Sequence, residues 1–213
     1  MKRKRGVSMD HDSIKKIYHN YSNVYDFIFK LMFYPRQRHA IEGMKIRPNE
    51  SVLDVGVGTG LTLPLYPRDC QITGIDLSRS MLQKAERKKQ KHRLDHVTLM
   101  EMDACDLRFP DDNFDHVLAT FVISVVPDPV KAVAEMKRVC KPGQPIVLVN
   151  HFLSEKRMLA RAEELLDPVC RKLGWRATLA LPDLAAASGL QVDSCFRMKK
   201  FDPWSIVFAT NTK

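Results

Sequence analysis

Hydrophobic positions along this chain fall into three regimes. From the N-terminus to about Arg47, Ile14, Ile17, Tyr18, Tyr21, Val24, Tyr25 and Ile28 recur at three- and four-residue spacing. That period places them on one face of one or two amphipathic helices, with Lys15 and Lys16 on the polar side. Asp12 or Ser13 can cap the start. From about residue 48 to 151 the pattern changes to short apolar runs: Ser51–Val55, Gln71–Ile75, Val97–Met100, His116–Thr120 and Ile146–Asn150. Each reads as a buried strand. Helical stretches separate them, Ser78–Lys89 capped by Ser78 and Pro129–Cys140 opened by its proline, with Lys141-Pro142-Gly143 as a stop. Strands alternating with helices specify an α/β fold, a parallel sheet covered on both faces. The last regime holds a charged helix near Glu155–Leu173, a short turn at Leu184–Ala187, and strands Gln191–Met198 and Trp204–Ala209 close enough to pair as an antiparallel edge hairpin. Two units follow: a basic, amphipathic helical segment over 1–47 and an α/β domain over 48–213.

Composition changes the picture in one respect. The chain has 213 residues, 45% hydrophobic and 28% charged, ordinary for a globular domain, but a formal charge of +9. Such a balance points to an anionic partner, nucleic acid or an acidic membrane surface. No apolar run is long enough to span a bilayer, and the basic N-terminus has no apolar stretch behind it to make a secretory signal. The five cysteines are scattered without CxxC pairs, which suits reduced, buried thiols in the cytoplasm.

Candidate chemistry begins at Val52-Leu53-Asp54-Val55-Gly56-Val57-Gly58-Thr59-Gly60. Gly56, Gly58 and Gly60 follow a strand and are expected to precede a helix, so that the backbone turns sharply and approaches a ligand closely. Dinucleotide-binding enzymes share such a turn. Two carboxylates argue for S-adenosylmethionine (SAM) instead. Asp54, two residues before the first glycine, would repel a pyrophosphate but could meet an ammonium group directly or through water. Asp76 ends the second strand about 20 residues on, where an acid can accept both ribose hydroxyl protons.

The resemblance is then specific. Asp54-Val-Gly-Val-Gly-Thr-Gly, Gly74-Ile-Asp-Leu-Ser-Arg-Ser-Met-Leu, Asp103-Ala, the stretch from Asp111 to Val117 and Arg138-Val-Cys-Lys-Pro-Gly occur in order with familiar gaps. Over about residues 20–151 the chain resembles class I SAM-dependent methyltransferases of the quinone-methyltransferase-like group. The resemblance implies their Rossmann-like seven-stranded sheet with an antiparallel last strand. It also implies that Asp76 holds the ribose beside Leu77, that Met81 packs on the adenine (or is a helix-core residue), and that Asp103 and Ala104 meet the adenine edge. Thr120 and Phe121 would floor the site.

Nothing after the fourth strand matches the Asn/Asp-Pro-Pro-aromatic motif of amino-methylating DNA enzymes, and no Pro-Cys nucleophile is present, so nucleic acid is not the expected acceptor. The basic residues Lys2, Arg3, Lys4, Arg5, Lys15 and Lys16, with the greasy stretch from Phe27 to Tyr34, suit an anionic membrane interface; a soluble lid over the cofactor is the alternative. Tyr21-Ser-Asn-Val-Tyr-Asp-Phe-Ile-Phe, and the Leu-Pro-Leu-Tyr-Pro tail at 63–67 of the glycine motif, are similar to soluble-type bacterial phosphatidylethanolamine N-methyltransferases. That resemblance implies successive methylation of phosphatidylethanolamine toward phosphatidylcholine, by a cytoplasmic enzyme peripheral to the inner face of the membrane. Alternatives are a quinone or other small-molecule O/C-methyltransferase and, from a different class, a nucleic-acid-binding protein that keeps the fold.

Transfer needs a neutral amine in line with the methyl group. Tyr25 and His151 are the candidates to orient the amine and take its proton. Tyr18, Tyr21, Tyr25, Phe121 and Trp175 offer faces for a methylated cation. Lys156, Arg157 or Arg161 could meet the lipid phosphate, although a solvated helix face is the preferred reading there. No metal-binding constellation is expected.

Overall fold

The computed structural model describes residues 33–154, 157–172, 176–199 and 202–213. The amphipathic helices expected over Ile14–Ile28, with Tyr18, Tyr21, Tyr25 and the basic residues Lys2–Arg5, Lys15 and Lys16, lie outside them. In chain order come helix α1 (Tyr34–Met44), strand β1 (Ser51–Val55), a 3-10 turn (Leu63–Leu65), β2 (Gln71–Asp76), α2 (Arg79–His92), β3 (Val97–Glu101), β4 (His116–Thr120), α3 (Pro129–Val139), β5 (Pro145–His151), α4 (Arg157–Lys172), α5 (Leu181–Ser188), β6 (Gln191–Phe196) and β7 (Trp204–Thr210).

These strands form one sheet in the order β3-β2-β1-β4-β5-β7-β6. β1 to β5 are parallel, and β7, the last strand, is antiparallel to both β5 and β6. The terminal hairpin therefore completes one sheet edge, as its spacing requires. Residues alternate between two faces. Leu53, Val55, Val117, Ala119, Ile146 and Leu148 pack with Ala132, Val133 and Met136 of α3 and Leu184 of α5. Val52, Ile72, Leu118, Val147 and Val149 pack with Ala40, Ile41 and Met44 of α1 and Ala85 of α2. α1 is thus part of the sheet's cover although it falls within the N-terminal stretch.

Side-chain caps open two of the helices, one of them the Ser78 cap expected from the sequence. Ser78 accepts from the Met81 N–H at the start of α2, and Asp128 accepts from Lys131 N–H just before Pro129 opens α3. Two expectations change. The Leu184–Ala187 turn is a full helix, Leu181–Ser188, begun by Pro182 and closed by Gly189 in the left-handed conformation. No α-helix follows the glycine turn: the β1–β2 connection holds only the 3-10 turn Leu63–Leu65. Pro64 opens it and Pro67 removes a backbone donor where a helix would need one.

Chain order reverses direction across the sheet between β1 and β4, so their carboxyl ends splay apart and leave a crevice there. The opposite end is closed by a polar clasp. Asn211, fully buried just past β7, donates from Nδ2 to the carbonyls of Lys137 (2.9 Å) and Cys140 (2.7 Å) at the end of α3. Asn211→Ala strands those carbonyls and should lower unfolding free energy by roughly 1–3 kcal/mol in urea titration. Cofactor affinity should stay at the wild-type value, because the clasp is at the far end of the sheet from the crevice.

Candidate active site

The crevice at the carboxyl ends of β1, β2 and β4 encloses about 1170 Å³ of empty space, part of it open to solvent. Its wall includes Gly56 and Gly58, Asp76, Leu77, Met81, Asp103, Ala104, Thr120 and Phe121. The structure thus brings together residues spread over 66 positions of sequence, 56 to 121, that were singled out separately.

The glycine turn is built by close approach. A Cβ on Gly56 would lie 2.7 Å from the Val122 Cβ, and one on Gly60 would lie 2.7 Å from Leu63 Cδ1 and 3.1 Å from the Ala85 backbone. Both residues have positive φ, +73° and +74°, where side chains are strained in any case. The turn is tied to β2 by the N–H groups of Gly56 and Val57, which donate to the Ile75 carbonyl. It is tied also by Gly58 N–H, which donates to Asp76 Oδ2 at 2.9 Å. Asp76 Oδ1 accepts from Ser78 N–H at 2.8 Å. Burial pushes the Asp76 carboxyl up, opposed by these two backbone donors. Each oxygen keeps a lone pair for a hydroxyl-bearing ligand.

Asp54 is fully buried behind the turn. Its Oδ2 accepts from Thr62 Oγ1 at 2.6 Å and from Tyr66 Oη at 2.9 Å, while Oδ1 has no hydrogen-bond partner among the described residues. Burial raises this carboxyl to about 6, against the two hydroxyl bonds and with a further push from the Asp76 charge. A buried acid with one unmet oxygen and a raised pKa beside a glycine turn is suited to a cationic group.

Gln37 of α1 was missed in the sequence. It is buried and lines the crevice, its Nε2 donating to Thr120 Oγ1 at 3.1 Å while Oε1 has no hydrogen-bond partner among the described residues. Only the packing of α1 on the sheet places it there, and no local motif could have marked it. Phe121, just after β4, has φ +60°, rare for a bulky side chain. Its N–H donates to the Val149 carbonyl, and its ring meets Phe33 edge-on at a centroid distance of 4.2 Å; Phe33 in turn meets Trp204 at 4.8 Å. Arg36 lies over Trp204 and is bonded to the buried carboxylate of Asp202 at 2.7 Å. This aromatic wall is the second feature missed, because Phe33 and Trp204 are 171 residues apart in sequence.

The other candidates fall elsewhere. His151, expected at the catalytic edge, does end β5 at the right height, but it is not on the crevice wall. Its Nε2 lies 3.8 Å from Glu163 Oε1 of α4. Burial holds its pKa down despite that carboxylate, so the imidazole is neutral near pH 7. Arg157 opens α4, but its side chain is not described, and Lys156, Trp175, Tyr18, Tyr21 and Tyr25 lie outside the described residues. Cys70, Cys105, Cys140 and Cys170 are buried, and Cys195 is exposed.

Comparison with known proteins places this geometry. A family described as a methyltransferase domain matches residues 53–148. The phosphatidylethanolamine N-methyltransferase of Cereibacter sphaeroides is 42% identical over 186 residues, 86% of this chain and 90% of that one. This chain belongs to the class I SAM-dependent methyltransferases. A demethylmenaquinone methyltransferase of Anoxybacillus flavithermus is 30% identical over 65% of this chain and 62% of its own length. The phosphoethanolamine N-methyltransferase 2 of Haemonchus contortus, solved with phosphomonomethylethanolamine and S-adenosylhomocysteine, shares the fold at a TM-score of 0.74 and 15% identity, over 94% of this chain and 60% of that one. The protein is accordingly an enzyme whose cofactor is SAM.

The residues present fit that cofactor. The unmet Asp54 Oδ1 suits a buried cation, Asp76 has the acceptors for vicinal hydroxyls, and Met81, Met102 and Ala104 give apolar surface for a base. Because the Asp54 carboxyl titrates higher in the folded chain than in the unfolded one, the folded state holds its proton more tightly between the ordinary carboxylate range and about 6. Stability therefore falls as pH rises through that window, and binding of a cation there should release the proton. Calorimetric titration of S-adenosylhomocysteine between about pH 5 and about pH 8 should show affinity rising through about pH 6 and then levelling. Asp54→Asn should flatten the profile and stabilise the free protein above that pH. A flat profile in the wild type would remove Asp54 from the site.

Proposed function

We propose that the enzyme transfers methyl groups from SAM to the amine of phosphatidylethanolamine, and to its mono- and dimethylated forms, toward phosphatidylcholine at an anionic membrane surface. The observation that carries this reading is the 42% identity to a phosphatidylethanolamine N-methyltransferase along 90% of that relative's length. The proposed cofactor contacts are Asp76 and Leu77 at the ribose, Met81, Asp103 and Ala104 at the adenine, and the turn Gly56–Gly60 with Asp54 and Thr120 at the amino-acid end.

SAM supplies an electrophilic methyl group on a sulfonium. The chain's task is to bring a neutral amine into line with it and keep water away. Ile75, Val122, Val125 and Val126 give the crevice apolar walls around its few polar groups. In such surroundings an ammonium is destabilised relative to the free amine, so entry favours proton loss. Phe121 offers a face to the cation that remains after methylation. Tyr18, Tyr21 and Tyr25 are proposed to close the acceptor side from the N-terminal segment, Tyr25 orienting the amine. His151, turned toward Glu163, is left out of the proposed proton step. His151→Gln should leave turnover near the wild-type value while Tyr25→Phe lowers it; the opposite order would return His151 to the reaction.

Attachment is proposed to run through the basic residues Lys2–Arg5, Lys15 and Lys16, each adding about 1 kcal/mol at an anionic surface. No helix among the described residues is long and apolar enough to cross a membrane. Deleting residues 1–20 should abolish turnover on vesicles while calorimetry still finds wild-type affinity for S-adenosylhomocysteine. Undiminished turnover would contradict the attachment.

Relatives named demethylmenaquinone methyltransferase, 30–31% identical, favour a second reading, a quinol acceptor. Incubation with labelled SAM, phosphatidylethanolamine vesicles and a demethylmenaquinol separates the two. Label in mono-, di- and trimethylated headgroups is expected. Label in the quinol alone would overturn the phospholipid reading.

A further inference from the structure

Helix α4 is inverted relative to an ordinary surface helix. Met158, Leu165, Leu166 and Val169 are exposed to 87%, 81%, 57% and 55%, while Asp167 on its other side is 8% exposed. Met158, Leu165 and Val169, seven and four residues apart, fall on one stripe, with Leu166 beside it. Two of its acids face the domain. Glu163 Oε2 accepts from Ser154 N–H at 2.8 Å, and Asp167 Oδ1 accepts from Ala177 N–H at 2.9 Å and from Thr178 Oγ1 at 3.2 Å. The helix is thus held by Glu163 and Asp167 and presents these four apolar side chains to solvent, an arrangement that marks an interaction surface.

Its position says what for. α4 follows β5 at the carboxyl edge of the sheet, the edge that holds the crevice. The chain just beyond it returns to the crevice rim: Arg176 N–H donates to the Ser124 carbonyl and Arg176 Nη2 to the Pro127 carbonyl, and Pro127 lines the crevice. Glu163 and Asp167 point inward and Arg161 is exposed, so two acids of the helix are withdrawn from its outer surface. The whole chain carries +9. An apolar stripe on a cationic body fits an anionic phospholipid bilayer, with the helix lying in the interface plane.

We infer that α4 is a bilayer-docking surface, its Met158–Leu165–Leu166–Val169 stripe seated in the lipid interface so that the crevice rim faces the membrane from which the acceptor is drawn. This deepens the phospholipid reading and rests on it for the last step, not for the docking.

The test uses the full chain and vesicles of phosphatidylethanolamine with phosphatidylglycerol. Leu165→Gln with Val169→Gln leaves the charge unchanged and alters only exposed positions. Its vesicle partition coefficient should fall roughly tenfold or more, while its turnover on a short-chain phosphatidylethanolamine below its micellar concentration stays at the wild-type value. In a Cys195→Ser background, an environment-sensitive dye on Leu165→Cys should shift to the blue when vesicles are added. Unchanged partitioning would overturn the inference. So would a dye already blue-shifted without vesicles, whether the stripe is covered by the chain's own N-terminal segment or, if light scattering reports a dimer, by a second copy. A wild type that docks through α4 yet methylates neither form of the lipid would leave the docking standing and remove the substrate reading instead.

Discussion

The site is organised by one buried carboxylate. Asp54 ends its turn of β1 with Oδ2 bonded to Thr62 and Tyr66, both from the segment beyond the glycine turn. Those bonds pull the chain back after Gly60 and fix its path where the β1–β2 connection has no α-helix to do so. The Leu-Pro-Leu-Tyr-Pro stretch gains a physical role from this: Pro64 opens the 3-10 turn, and Tyr66, buried to 4% exposure, delivers its hydroxyl to the acid. Without that donor the carboxylate would be buried with still fewer partners, at a cost of several kcal/mol. The loop geometry and the acid are therefore one unit. Its remaining oxygen has no hydrogen-bond partner among the described residues, and burial raises its pKa to about 6; a cation bound there would relieve that cost.

Asp76 works on the other side of the same turn and by different means. Its two oxygens are each held by a backbone N–H, from Gly58 and Ser78, so its orientation is set before any ligand arrives. Preorganisation of this kind limits the entropy lost on binding. The facing wall comes from β4, where Phe121 is kept in a left-handed conformation by its bond to Val149 and by the Phe33–Trp204 aromatic wall. Strain at a crevice-lining residue is consistent with the wall being shaped for a ligand.

Much of the frame was legible locally. The limits of β1 and β4 follow from apolar runs bounded by turn residues, and the cap at Ser78 sits one residue before its helix. The terminal hairpin follows from the short spacer between Met198 and Trp204. What was not legible depended on contacts distant in sequence or on side-chain direction. Gln37 reaches Thr120 only because α1 lies across β4 and β5. His151 occupies the right strand end, but its ring is directed toward α4. The missing helix after Gly60 was signalled by Pro64 and Pro67, which a glycine motif alone does not reveal. The charges expected of α4 are present; that Glu163 and Asp167 face inward and the stripe of Met158, Leu165 and Val169 outward is a property of tertiary packing.

Asp54 is proposed to read the positive end of the cofactor through the oxygen that has no hydrogen-bond partner among the described residues. A calorimetric cycle tests it most directly: S-adenosylhomocysteine and its analogue lacking the α-amino group, each titrated into the wild type and into Asp54→Asn. The account predicts that losing the amino group costs the wild type at least about tenfold in affinity and costs Asp54→Asn almost nothing, a coupling that only interacting groups produce. Equal losses in both proteins would show that Asp54 and the amino group do not interact, and would contradict the account.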